Sequence, residues 1–194
     1  PVDVSVVTQG LAPLTLSGTF VDGANGLARQ PGTDALFAVL RLGSTRVLAT
    51  VDQESGQAAA VGTLSGLNVA SITFDDVGRL WAVTGDGGSP PETLFRLDPN
   101  TAAATFVMTL GNGDDGEAIA FHPGNGLLYH ASGLGSPIFE TIDPDTLAIT
   151  PLPVGGTPAF EVLALAALDK DTLLWTDLSS GFGTVTTNGV FQFT

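Results

Sequence analysis

The sequence predicts an all-β fold made of about four copies of one four-stranded unit, and three observations predict it. First, an aromatic residue recurs inside a short apolar run. It is Phe37 in Ala35-Leu36-Phe37-Ala38, Trp81 in Arg79-Leu80-Trp81-Ala82, Tyr129 in Leu127-Leu128-Tyr129-His130 and Trp175 in Leu173-Leu174-Trp175-Thr176. The intervals are 44, 48 and 46 residues, which match the roughly 40–50 residues of a β-propeller blade. Second, an Asp-centred segment keeps the same period: Val51-Asp52-Gln53-Glu54-Ser55, Leu97-Asp98-Pro99-Asn100-Thr101 and Ile142-Asp143-Pro144-Asp145-Thr146, the Asp residues being 46 and 45 apart. Third, the runs between these markers are rich in Val, Ile, Thr, Leu and Phe, and none has the length and period of an amphipathic helix.

The third repeat gives the elements in order. Residues 118–121 are apolar at every position, as suits an inner strand buried on both faces between neighbouring blades. His122-Pro123-Gly124-Asn125-Gly126 is a turn. Residues 127–131 form strand two, whose aromatic fills the gap between blades; Phe37, Trp81, Tyr129 and Trp175 are thus expected in the core. After a loop with Gly133, Gly135 and Pro137 comes strand three, residues 138–142. Asp143-Pro144 then turns the chain into strand four, residues 148–154, because Asp bonds backbone two residues on and Pro presets φ.

The repeats fall at about 21–66, 67–112, 113–157 and 158–194, after a half blade at 1–20 whose runs 2–8 and 14–20 read as strands three and four. Gly18-Thr19-Phe20 matches Gly62-Thr63-Leu64, 44 residues on. The expectation is one domain over 1–194, a β-propeller of four or five antiparallel four-stranded blades whose N-terminal strands pair with the last blade and close the ring. Closure matters because an open ring leaves a raw sheet edge and an uncovered blade face. The alternative is a piece of a larger propeller.

Composition narrows the function classes. The net charge is −14, from 20 acidic residues against 6 Lys plus Arg. Nucleic-acid binding needs clustered cations that release counterions, and anionic membrane surfaces need them too; neither partner is expected. No apolar run approaches the roughly 20 residues that span a bilayer, so membrane insertion is not expected. With no Cys, disulfides, thiolate zinc sites and iron–sulfur clusters are excluded. The lack of thiols is compatible with export. Residue 1 is Pro and the sole Met is Met108, so the sequence reads as a processed chain or excised segment without its own signal peptide and start Met. The expected location is extracellular, at the cell surface or periplasmic.

The densest polar stretch is Gly111-Asn112-Gly113-Asp114-Asp115-Gly116-Glu117. Oxygen ligands on a Gly-rich loop suit Ca²⁺, which makes Asp114, Asp115 and Glu117 the candidate metal ligands and Ca²⁺ the one cofactor candidate. The spacing fits no EF-hand, and a solvated loop between blades explains it as well. Asp75-Asp76, Asp143 with Asp145 and Asp169 with Asp171 read as turn residues, and Asp86 lies in a loop. Glu117 and Glu161 each precede an inner strand, near the expected mouth of a central channel, where converging carboxylates hold metals or act as acid and base. Asn25 and Ala70 stand at the corresponding places in the first two repeats, which argues against a symmetric site. Of the two His residues, His122 lies in a turn and is expected to be exposed, and His130 points to the face opposite Tyr129. There is no nucleophile elbow. Ser132-Gly133-Leu134-Gly135-Ser136 precedes a strand and so cradles no phosphate. No residue is assigned as catalytic.

Glu117-Ala118-Ile119-Ala120-Phe121-His122-Pro123, then Gly126-Leu127-Leu128-Tyr129, then Ile142-Asp143-Pro144-Asp145-Thr146, resembles the repeats of bacterial extracellular and periplasmic propellers of the NHL, YVTN and quinoprotein-like style. The resemblance covers about residues 20–194. It is best in the third repeat, good in the second, loose in the first, and departs in the fourth, where Thr186-Thr187-Asn188-Gly189 replaces Asp-Pro. It implies an architecture that hosts many functions. The expected function is a noncatalytic exported interaction or structural module with protein partners, self or other, or a glycan; self-assembly into a surface or extracellular polymer is one form of it. The alternatives are a Ca²⁺-dependent propeller hydrolase, lactonase or lyase with its site at the channel mouth, and a fragment of a larger propeller sensor.

Overall fold

A computed structural model describes residues 13–33, 35–85, 87–110, 117–133, 138–155, 161–178 and 181–193. A short hairpin comes first, β1 (Thr15–Leu16) and β2 (Thr19–Phe20), turning through left-handed Ser17 and Gly18. Blade 1 follows as β3 (Gly23–Arg29), β4 (Leu36–Leu42), β5 (Thr45–Val51) and β6 (Gln57–Thr63). Blade 2 is β7 (Val69–Phe74), β8 (Leu80–Thr84), β9 (Thr93–Leu97) and β10 (Ala104–Thr109). Blade 3 is β11 (Glu117–His122), β12 (Leu127–Ser132), β13 (Ile138–Ile142) and β14 (Ile149–Pro151). Blade 4 is β15 (Val162–Ala167), β16 (Thr172–Asp177), β17 (Phe182–Thr186) and β18 (Phe191–Phe193). Each blade is an antiparallel meander, no helix occurs among the described residues, and the four sheets are arranged as a four-bladed β-propeller. Strand four of the third repeat is shorter than the sequence predicts because Pro151 and Pro153 carry no N–H for the ladder.

The first strand of each blade lies innermost, and β3 packs beside β7, β7 beside β11 and β11 beside β15. Side chains staple these neighbours: the Ser71 hydroxyl accepts the Ile119 N–H (3.2 Å) and the Thr73 hydroxyl accepts the Phe121 N–H (3.0 Å). At Gly26, left-handed at φ 68°, a Cβ would stand 2.7 Å from the Ile72 nitrogen, so glycine alone lets β3 approach β7.

Blades meet through separate apolar layers. Phe37, Val39 and Leu48 of blade 1 pack on Ile72, Phe74 and Leu80 of blade 2, with Phe37 edge-on to Phe74 at 5.3 Å. Trp81, Val83 and Leu94 of blade 2 pack on Ile119, Leu128 and Ile142 of blade 3. Tyr129, Ala131 and Phe139 of blade 3 share a layer with Leu173, Trp175, Val185 and Phe191 of blade 4. All four repeat aromatics are buried, as expected. Their directions differ: Phe37, Trp81 and Tyr129 point forward to the next blade, whereas Trp175 points back, edge-on to Phe191 (5.5 Å), which meets Phe139 (5.3 Å). Strand period is two, so a one-residue slip turns a side chain to the other face. Facing forward, the Trp175 indole would meet no blade among the described residues; facing back, it is fully buried.

The two ends of the arrangement are finished differently. Among the described residues β15 does not pack on β3 as the other inner strands pack on one another. The expectation that N-terminal strands pair with the last blade rests partly on residues 2–8, which lie outside the described residues. The described part goes elsewhere: β1 pairs in parallel with β6, and Leu14, Leu16 and Val21 pack over Ala38, Leu40, Ala49 and Ala58 on the outward face of blade 1. That placement covers apolar side chains and the free edge of β6 together.

Candidate functional site

Glu117 is the one candidate metal ligand that is described; Asp114 and Asp115 lie outside the described residues. Glu117 opens β11 opposite Ser132 of β12, and His130, two residues earlier on β12, sits opposite Glu140 of β13. Cross-strand partners share a face, so the register gathers four polar side chains on the face of blade 3 that looks to blade 2. The Glu117 Oε2 lies 2.7 Å from His130 Nε2, and its Oε1 accepts the Ser132 hydroxyl at 2.8 Å. His130 Nδ1 lies 3.0 Å from Glu140 Oε1. All four side chains are buried. A methyl group on Gly85 would stand 3.7 Å from Glu117 Cγ, so blade 2 lies against the carboxylate side chain.

With a carboxylate at each ring nitrogen, both nitrogens donate and the ring is an imidazolium. Burial alone would lower the His130 pKa, but the hydrogen bonds and charges of Glu117 and Glu140 outweigh it and raise the value from 6.5 to about 9. The imidazole then has no lone pair for a proton or a metal, and both Glu117 oxygens are occupied. Among the described residues no group of three His or acidic side chains is disposed to hold a metal ion.

The other acids serve the scaffold. Asp75, read as a turn residue, does lie in the β7–β8 turn and is buried there; it accepts the Arg79 N–H (2.7 Å) and Trp81 Nε1–H (2.9 Å) and pairs with the Arg79 guanidinium, which also reaches Asp145 of blade 3 (2.6 Å). Asp52, Asp98 and Asp143 lie between the third and fourth strands of their blades and accept backbone N–H groups two residues on, at 3.1, 2.8 and 2.8 Å. Bonds from Ser55, Asn100 and Thr146 foremost hold these carboxyls below the ordinary range. His122 is buried against expectation: its Nε2 lies 2.7 Å from the Asp169 carbonyl of the β15–β16 turn and its ring meets Tyr129 edge-on. The neighbouring blade covers a turn that looks solvent-facing in sequence. Asp86 lies outside the described residues.

A second polar locus carried no sequence signal. A cleft of about 610 Å³ opens between the β4–β5 turn (Gly43, Ser44), the segment from Thr63 to Asn68, and Gly87. Arg46 lines it, donating from Nη2 to Asn68 Oδ1 at 2.6 Å, while its Nε is buried without an acceptor. Arg41 stands directly opposite Arg46 in the β4–β5 pair. Burial and the nearby Arg41 charge lower the Arg46 pKa.

No family model matches the chain, and no curated protein matches it. Solved structures do. The chain is similar to one in a nidogen/laminin complex, at 12% identity and TM-score 0.61, over 84% of this chain and 75% of that one. It is similar to an auxiliary nutrient binding protein from Bacteroides thetaiotaomicron, at 16% and 0.66, over 94% and 47%. A gluconolactonase from Xanthomonas campestris is similar at 19% and 0.60, over 88% and 61%. The chain is a β-propeller. At these identities the likeness shows the fold alone, and the propeller spans less than two thirds of the latter two chains.

Proposed function

We propose that the propeller is a noncatalytic interaction module of an exported protein, and that it joins a second copy of itself through the outward face of blade 4. One observation carries this reading: among the described residues no blade follows that face, and its strands present no charged side chain. Cross-strand rows put Ala166, Leu174, Thr184 and Gln192 on it, then Ala164, Thr176 and Phe182, then Thr172 and Thr186. None of them is buried. In a chain of net charge −14, self-association is opposed by repulsion everywhere except across an uncharged surface. Exposed Leu178 at the strand end adds apolar area. The saturated state of His130 and Glu117 supports a role without acid–base chemistry, and the absence of Cys fits export.

Sedimentation velocity over a concentration series tests the reading. The parent protein forms a dimer as concentration rises. Thr184→Glu, which puts like charges across the two-fold contact, weakens it by about tenfold or more. A parent that stays monomeric at the highest concentration, with and without Ca²⁺, overturns the self-association. Lactone or ester hydrolysis that Glu117→Gln abolishes overturns the noncatalytic assignment.

A further inference from the structure

We infer that the cleft between blades 1 and 2 is a binding site for the carboxylate group of a small organic acid, with Arg46 as its anchor and Arg41 as a second positive charge beside it. Cations are scarce in this chain. The chain has 6 cationic side chains among 20 acids, so a cation here has an abundance of carboxylates to pair with. Arg79 takes two, and Lys170 pairs with Asp171. Among the described residues Arg41, Arg46 and Arg96 pair with none, and of these Arg96 lies over the Trp81 ring at 4.9 Å.

Arg41 and Arg46 are, moreover, placed where like charges repel. They are direct cross-strand partners, an arrangement that destabilises a sheet unless an anion lies between or beside the pair. The same register puts both on the face of blade 1 that looks to blade 2, because Arg41 alternates with Val39 and Arg46 with Leu48. The Arg41 guanidinium folds back over Gly23, where any Cβ would collide with it. The Arg46 guanidinium is oriented by Asn68 and left incomplete at Nε. Asn68 is itself held from blade 2, its carbonyl accepting the Gly85 N–H at 3.1 Å.

A planar guanidinium with one donor committed and another unfilled matches the two oxygens of a carboxylate, which completes the set with charge-assisted bonds. Ser44, Thr45 and Ser65 add hydroxyl-bearing residues to the lining. Asp22, the acid whose carboxylate meets the β4–β5 turn, is engaged by the Gly43 N–H. The cleft volume of about 610 Å³ is within the range of small-molecule sites and accommodates an acid the size of a sugar acid.

Calorimetric titration of the intact chain with glucuronate and with succinate tests the site, with glucose and succinamide as neutral counterparts. Both acids bind saturably at low ionic strength and the neutral compounds do not. Arg46→Met weakens binding by about tenfold or more, Arg41→Met weakens it less, and Arg29→Met, outside the cleft, leaves it unchanged. Arg41 is exposed, so its variant carries the test if Arg46→Met fails to fold. Added salt weakens binding. Equal heats from acids and neutral counterparts, or affinity unaltered in both Arg46→Met and Arg41→Met, overturn the proposal. The outcome is separate from the dimer, since Thr184→Glu leaves the cleft intact.

Discussion

His130 sets the strongest expectation at the scale of single residues. Its folded-state pKa, about 9, lies above the ordinary 6.5. The stabilisation from its proton is therefore fully present below pH ~6.5 and is lost as pH rises through ~9. At about 1.4 kcal/mol per pH unit this amounts to a loss on the order of 3 kcal/mol, read from urea unfolding between pH 6 and 10. A His130→Gln variant loses that slope. Glu117→Gln removes one partner of a buried ion pair and costs about 3–5 kcal/mol at pH 7, measured in the same titration. The half of this site that alternation reveals was legible in sequence: His130 does face away from Tyr129. The partners of Glu117 were not, because the sequence sets it beside Asp114 and Asp115, whereas His130 and Ser132 reach it across the β11–β12 register. Glu140 was not, because it is joined to His130 only through the β12–β13 register. His122 was misplaced as exposed for the same kind of reason, since the Asp169 carbonyl that covers it comes from the next blade.

Elements obey the repeat with two departures that energetics explain. The recurring aromatic predicted every second strand, because a large ring in a β-like run has to be buried between sheets. The direction of the ring was hidden, since it depends on register, and a slip of one residue reverses it. Trp175→Ala accordingly costs about 3–5 kcal/mol, while Thr184→Val, on the opposite face of the same blade, changes stability by no more than about 0.5 kcal/mol; chemical denaturation distinguishes the two. A register that matched the other blades would give the reverse order. Gly26 marks the other departure: blades 2 and 4 repeat the bulge of the innermost strand, at Val69/Ser71 and Val162/Ala164, but only in blade 1 is the bulged residue left-handed. This glycine permits the close approach of β3 and β7 at a bulge between Asn25 and Leu27. Gly26→Ala must relieve both a left-handed φ and a backbone collision, at a cost above the ~1–2 kcal/mol of the φ alone, seen as a lowered melting temperature. The isolated Gly was visible in the sequence, but its neighbour across the blade boundary was not.

The whole molecule is a strongly acidic propeller with unlike ends. Blade 1 has its outward face covered by Leu14, Leu16 and Val21, whereas that of blade 4 carries no charged strand side chain and, among the described residues, no cover. The number of blades followed from the repeat period; the way the ends are finished did not, because β1 pairs with β6 through a contact between distant segments of dissimilar sequence. That asymmetry is the ground on which blade 4 is proposed as the interaction surface. The most direct measurement of this claim is amide hydrogen exchange at low and high protein concentration, mapped along the chain. Protection is expected to rise with concentration in β16 and β17 of blade 4 and to stay constant in β8 and β12, which already lie between blades. Protection that is independent of concentration throughout, or that rises instead over β1 and β6 of blade 1, would contradict it.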